Sequence, residues 1–340
     1  MAGGRPELYE RVRPMFESVS AKVKHEPCAA QVGRGAAGHF AKMVHNGIEY
    51  ALMQLIAETY DYLHRVLAMD TNAIADVFEE WNSGELRSFL IEITATVLRK
   101  TDPETGGPLV DVIVDAAGQK GTGRWASQAA MEFGIPVPTI DAAVTMRQIS
   151  SLLETRRVIG NALGTPPYVQ GVTAKASRVV AVDMNLIGVA QIRDALLCGF
   201  VIAYSQGLSL LQAASVEKSY ELNIAELARI WRGGCIIRSA LLDQIRSAYT
   251  KDPALPSLFL DKRVRETLTQ TAEPLRKLVS AFVGSGLPGM AFSSTLGYFD
   301  ALRSERLPAN LIQAQRDLFG AHAYRRIDKE GTFHTPDWEK

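Results

Sequence analysis

Lys42, His45, Asn46 and Glu49 fall at i, i+3, i+4 and i+7, the spacing that places side chains on one face of an α-helix. The positions around them, Met43, Val44, Ile48, Ala51, Leu52, Met53, Leu55 and Ile56, are apolar. Such a helix buries most of its circumference and carries a polar stripe inward. The stripe must either pair within itself or line a cavity that a polar ligand completes. Lys42 and Glu49 stand about 10 Å apart along the axis, two helical turns, which leaves room for a small polyhydroxylated molecule. The plainer alternative is a solvated face that happens to carry four polar residues.

A second group is Gly118-Gln119-Lys120-Gly121-Thr122-Gly123-Arg124-Trp125. Three glycines let backbone approach a ligand, Lys120 brings charge, Thr122 a hydroxyl, and a helix starting near Thr122 aims free N–H groups at the same place. That combination suits an anion. It is not a Walker loop, because GxxxxGK[ST] is absent, and the alternative is a glycine-rich turn with an exposed lysine. Arg147, Arg316 and His322 are further cations that could complete an anionic pocket, although an isolated arginine is more often half of a surface ion pair. Gly33-Arg34-Gly35-Ala36-Ala37-Gly38 spells GxGxxG. A dinucleotide fingerprint needs a buried strand before it and a βαβ unit after it. Here helical pattern runs on from about 38 to 69 and more helix follows, so the glycines read as the entry to a long helix. Cys28, Cys198 and Cys235 are widely spaced and free of CxxC patterning, which fits reduced thiols rather than disulfides or a metal site.

The elements that must position these groups are helices. Residues 5–20 form one amphipathic helix through Leu8, Val12, Met15, Phe16 and Val19, which Pro14 can kink, followed by short segments near 21–23 and 29–32. This piece is too small to bury its apolar face alone, so the chain reads as cut from something longer. Asp70 and Thr71 offer an N-cap, and helical periodicity resumes through Leu98. Residues 101–108 form a loop. Ile74-Ala75, Trp81, Gly84 and Leu86 match Ile224-Ala225, Trp231, Gly234 and Ile236 at a displacement of 150 residues, too long a period for a solenoid. A duplicated helical half-domain accounts for it, its second half beginning with a long helix over about 182–215. A short helix at 309–319 leads into a tail whose Phe319, Tyr324, Phe333 and Trp338 are too apolar for disorder and which therefore docks on another surface, such as that of another subunit.

The chain has 340 residues, 47% hydrophobic and 22% charged, with 37 basic and 37 acidic side chains. It is long enough for one large domain or two ordinary ones, and a zero net charge gives no global field for nucleic acid or an acidic membrane. No apolar run approaches the ~20 residues of a membrane span, and no apolar signal core stands at the start. The expected location is the cytoplasm, with no nucleic acid and no membrane as partners.

Five stretches, residues 42–50 (KMVHNGIEY), 89–94 (FLIEIT), 118–123 (GQKGTG), 231–239 (WRGGCIIRS) and 313–322 (QAQRDLFGAH), closely resemble 6-phosphogluconate dehydrogenase, and the likeness covers essentially the whole chain. The resemblance implies an all-α, duplicated multi-helix domain over 35–308, in halves of about 35–172 and 173–308. It implies a homodimer and a tail, 309–340, exchanged with the partner subunit. It implies oxidative decarboxylation of 6-phosphogluconate to ribulose 5-phosphate and carbon dioxide with NADP. Lys42 then resembles the base that deprotonates the C3 hydroxyl, and Glu49 the acid that protonates C1 of the enediol. His45 and Asn46 resemble contacts to substrate hydroxyl and carboxylate. Tyr50, Lys120, Thr122 and Arg147 resemble phosphate-side ligands, joined by Arg316 and His322 of the other subunit. The family begins with a Rossmann domain that binds NADP, of which residues 1–34 look like the last fragment. A separate dinucleotide-binding chain, a late start or a true truncation would each explain this. The alternative activity is a catalytically silent helical dimer or a sugar-phosphate-binding module.

Overall fold

The computed structural model describes residues 1–164 and 187–338. Helices dominate, as the periodicity predicts. They are α1 (Pro6–Val19), α2 (Ala37–Arg65), α3 (Thr71–Trp81), α4 (Phe89–Leu98), α5 (Thr122–Glu132), α6 (Pro138–Ser150), α7 (Leu153–Leu163), α8 (Val189–Glu217), α9 (Ile224–Trp231), α10 (Leu241–Lys251), α11 (Lys262–Ser285), α12 (Met290–Leu302) and α13 (Ala309–Gly320). Six short strands accompany them: β1 (Ala2–Gly3), β2 (Lys22–Val23), β3 (Glu26–Pro27), β4 (Gln31–Gly33), β5 (Tyr324–Arg325) and β6 (Thr332–Phe333). β1 pairs parallel with β4, and β2–β3 and β5–β6 are antiparallel hairpins. The expected start of the second long helix at 182 and the expected boundary between halves at 172/173 lie outside the described residues.

Packing divides the chain into two units, Met1–Leu296 and Gly297–Lys340. In the first, α2 and α8 are both 29 residues long, and each is followed by a short capped helix ending in a buried tryptophan, Trp81 or Trp231. The side chain of Asp70 accepts from Ala73 N–H at 2.8 Å, and that of Asn223 from Glu226 N–H at 2.9 Å, so both short helices start on a side-chain cap. The two series of helices meet at equivalent places. Ser88 pairs with Ser239, Phe89 N–H donates to Arg238 O at 3.0 Å, and Ala240 N–H donates to Arg87 O at 2.8 Å. This junction corrects the uninterrupted helical reading through Leu98. The chain breaks after Trp81, and α4 restarts on Ser88, whose hydroxyl accepts from Ile91 N–H.

α8 is the core of this unit, packed by α2 on one side and α11 on another. Its length and composition alone would let it cross a membrane, which overturns the expectation that no run is apolar enough. In the fold, 89% of its most apolar window is buried inside the protein, as befits a helix that is hydrophobic all round. The N-terminal segment is tied to α9 and α10. Glu26 pairs with Arg232 and with Arg246 at 2.9 Å, and Arg229 donates to Ala29 O at 3.2 Å and to Pro27 O. All three cysteines are free thiols.

Candidate functional site

α2 carries the polar stripe, and the stripe runs from solvent to interior. Lys42 is exposed, His45 is fully buried, and Asn46 and Glu49 are half-buried. Lys42 Nζ lies 3.3 Å from His45 Nδ1, which in turn lies 3.1 Å from Asn46 Oδ1. The far imidazole nitrogen, Nε2, is buried without a partner, and the ring packs edge to face with Trp231 at 5.5 Å between centroids. Burial and the neighbouring Lys42 charge push the His45 imidazole down to about 4, so it is neutral at physiological pH. The stripe is thus internally paired at its Lys42 end, and His45 reaches the surrounding groups only through its Nδ1 edge.

Burial raises the Glu49 carboxyl above the usual carboxylate range, against the opposing charges of Lys42 and Arg147. A carboxyl raised in this way holds its proton more readily than a solvated one, which suits it to proton transfer. One residue on, Tyr50 is buried and carries the Arg147 guanidinium stacked on its ring at 3.6 Å. Arg147, on α6, also donates to Gly118 O at 3.1 Å and leans on Met53 Sδ at 3.5 Å. The glycine-rich stretch therefore comes to α2, as an anion cradle requires. Gly121 sits at φ +93°, a left-handed N-cap for α5, and no side chain caps that helix, which leaves its first N–H groups facing the loop. A Cβ on Gly123 would stand 2.4 Å from the Tyr50 ring. Among the described residues neither the Lys120 amine nor the Thr122 hydroxyl has a hydrogen-bond or ionic partner.

The structure thus brings together Lys42, His45, Asn46, Glu49, Tyr50 and Arg147, with the backbone of the Lys120–Thr122 turn. Arg316 and His322 belong to the second unit, where both are exposed. Arg316 Nη1 donates to Gln313 Oε1 at 3.1 Å, and the His322 ring lies edge-on to Phe319. At the Lys42 end the site extends into a cavity of about 260 Å³ lined by Met1, Gly3, Gly35, Gly38, His39 and Lys42. His39 was not among the candidates, yet it stands three residues before Lys42, so the i, i+3 spacing extended one turn toward the N-terminus would have found it. Trp231 marks the repeat and opens the 231–239 stretch, and neither feature announces its contact with His45.

The GxGxxG turn does follow a strand, β4, and the chain itself fills the space at its first and last glycines, while the middle one, Gly35, has open space beside it. A Cβ on Gly33 would fall 2.6 Å from Tyr220 O, and one on Gly38 2.7 Å from Gly3 N. At Gly33 and Gly38 the turn packs against neighbouring backbone. Among the described residues no three of His, Cys, Asp and Glu gather as metal ligands.

A family model described as 6-phosphogluconate dehydrogenase, C-terminal domain, matches residues 38–338. The chain is 47% identical over 340 residues to the NADP(+)-dependent, decarboxylating 6-phosphogluconate dehydrogenase of Bacillus subtilis, covering 100% of this chain and 70% of the relative. It is 46% identical to the chloroplastic decarboxylating enzyme 2 of Oryza sativa, of which it covers 66%. Among solved structures, that of Plasmodium falciparum 6-phosphogluconate dehydrogenase superposes with a TM-score of 0.90 at 42% identity, over 98% of this chain and 70% of that one. The Plasmodium enzyme is known in its apo form, with its cofactor NADP+ and with its substrate 6-phosphogluconate.

Proposed function

Because the chain belongs to the 6-phosphogluconate dehydrogenase family, we propose that it carries the substrate-binding and acid–base half of the oxidative decarboxylation of 6-phosphogluconate to ribulose 5-phosphate and carbon dioxide. The observation that supports this most is the order of groups along α2. The Lys42 amine beside His45, itself paired with Asn46, is followed two turns later by a carboxyl that burial raises, and then by the Tyr50–Arg147 stack. An extended six-carbon acid phosphate matches that order, its oxidised carbons toward Lys42 and its phosphate toward Arg147, Lys120, Thr122 and the free N-terminus of α5.

In this reading Lys42 takes the proton of the C3 hydroxyl as the alcohol is oxidised. The β-keto acid so formed loses carbon dioxide, leaving an enediol whose C1 receives the Glu49 proton. Asn46 and the Nδ1 edge of His45 hold the substrate oxygens and keep Lys42 directed at C3. NADP, the coenzyme named for the Bacillus subtilis relative, supplies hydride acceptance, and no described residue is assigned to it. Arg316 and His322 serve the phosphate of a partner subunit in a homodimer. The exposed Leu311, Ile312, Leu318 and Phe319 around them support docking of the tail on such a partner. A cytoplasmic location belongs to the same reading.

The test is 6-phosphogluconate-dependent NADP reduction, with calorimetric binding of 6-phosphogluconate measured in parallel. Turnover that falls about 10²- to 10⁴-fold in Lys42→Ala, with binding retained within a few-fold, supports the reading. Binding without turnover in the unaltered protein favours the alternative, a silent sugar-phosphate-binding dimer. Absence of binding overturns both.

A further inference from the structure

His322 sits between two alanines, Ala321 and Ala323, whose φ angles are +51° and +57°, a left-handed conformation that non-glycine residues adopt rarely. One residue holds both. Ala321 N–H donates to the Asp317 carbonyl at 2.9 Å, and Ala323 N–H donates to Asp317 Oδ1 at 2.8 Å. The Asp317 carboxylate is fully buried and accepts three more hydrogen bonds, each of 2.9 Å, from His334 Nδ1, Thr335 N–H and Trp338 Nε1. It therefore joins α13 to the β5–β6 hairpin and to Trp338. Burial alone would push this carboxyl up, but the donors of Thr335, His334, Trp338 and Ala323 together outweigh it and hold the group well below the usual carboxylate range. Gln313, one turn earlier on the same face of α13, spans the other side of the corner. It accepts from Arg316 through Oε1 and donates to Ala323 O through Nε2.

Asp317 and Gln313 thus fix the backbone on both sides of His322 and the side chain of Arg316 within the tail itself. A buried carboxylate with four donors is an unusual investment for a surface tail unless the corner it shapes must be rigid. We propose that Asp317, with Gln313, is a positioning residue that pre-forms Arg316 and His322 as a rigid pair for a phosphate dianion, so that the tail meets its ligand already ordered. This rests on the reading that Arg316 and His322 serve the substrate phosphate.

The experiment measures affinity for 6-phosphogluconate and for gluconate, which lacks the phosphate, in the full chain and in Asp317→Asn, His322→Ala, Arg316→Ala and the double variant Asp317→Asn/His322→Ala. Asn keeps the size of Asp317 but turns an amide N–H₂ toward donors. We expect Asp317→Asn to weaken 6-phosphogluconate binding about tenfold, to leave gluconate binding within twofold, and to add no more than about twofold on the His322→Ala background. Trp338→Phe removes one donor while keeping an aromatic ring, and should act in the same direction by about two- to threefold, which covers the case in which Asp317→Asn loosens the whole tail. Additive losses in the double variant, equal losses for both ligands, or unchanged 6-phosphogluconate affinity in Asp317→Asn overturn the proposal. Unchanged affinity in both Arg316→Ala and His322→Ala would instead remove the tail from the phosphate site, and the proposal with it.

Discussion

Glu49 and His45 lie one turn apart on α2, and burial acts on the two in opposite directions: it raises the carboxyl and pushes the imidazole down to about 4. Burial thus disfavours the charged form of each, which suits a site where one proton is taken and another returned. Glu49→Gln should therefore lower turnover by about 10²- to 10⁴-fold while leaving 6-phosphogluconate affinity within a few-fold, as steady-state kinetics and calorimetry would show; near-normal turnover would remove Glu49 from the acid role. Gly123 tests the phosphate end. An added methyl would stand 2.4 Å from the Tyr50 ring, so Gly123→Ala should displace Tyr50 and the arginine stacked on it, raising the KM for 6-phosphogluconate about tenfold or more with less change in kcat. The spacing of Lys42, His45, Asn46 and Glu49 was legible in the sequence because helical period is written locally. That His45 is sealed while Lys42 is exposed was not, since the seal is Trp231, which belongs to the other series of helices.

Between elements, the least expected contact is Glu58. It lies beyond the polar stripe on α2, is 3% exposed, and accepts from Ala291 N–H at 2.8 Å and Phe292 N–H at 3.0 Å, the first turn of α12, with Gln54 Nε2 as a third donor at 3.1 Å. A carboxyl at a helix N-terminus is electrostatically well placed, yet burial still pushes this one up to about 7. Its folded value lies above that of an unfolded carboxyl, so the stability linked to its proton is complete below the ordinary carboxylate range and is lost as pH rises through about 7. Thermal unfolding should show Tm falling between pH 5 and 8 more steeply in the natural protein than in Glu58→Gln. The variant should itself be less stable by about 1–3 kcal/mol, because its amide turns a donor toward α12 backbone N–H groups; equal slopes would show that Glu58 does not titrate there. Helix existence was legible almost throughout, and the Asp70 cap was too. The break between α3 and α4 was not, because Arg87 and Phe89 are held by Ala240 and Arg238, roughly 150 residues away.

On the scale of the whole first unit, the two long helices set where the chemistry can happen, since α8 is the surface against which α2 is laid. The duplication was legible because Trp81 and Trp231 mark equivalent corners, but the packing of one series against the other depends on single atoms that no pattern announces. Gly207 is the tightest of these points. A Cβ there would stand 2.5 Å from Ile48 and 3.4 Å from Val44, both on α2 and both next to stripe residues. A close-packed interior cannot absorb that methyl without moving a side chain or a helix. Gly207→Ala should cost about 1–3 kcal/mol of stability and should also shift Ile48, whose chain neighbour is Glu49. Turnover should then fall more than substrate affinity, because binding is spread over many groups whereas protonation of C1 depends on the aim of one carboxyl. Ile48→Val removes a methyl from the opposing side chain, so the double variant should recover part of both losses, giving a coupling of opposite sign to the single effects when unfolding and turnover are measured across the cycle. Purely additive losses would mean that the two helices do not meet at this point, and that the position of the polar stripe is set by α5 and α6 instead.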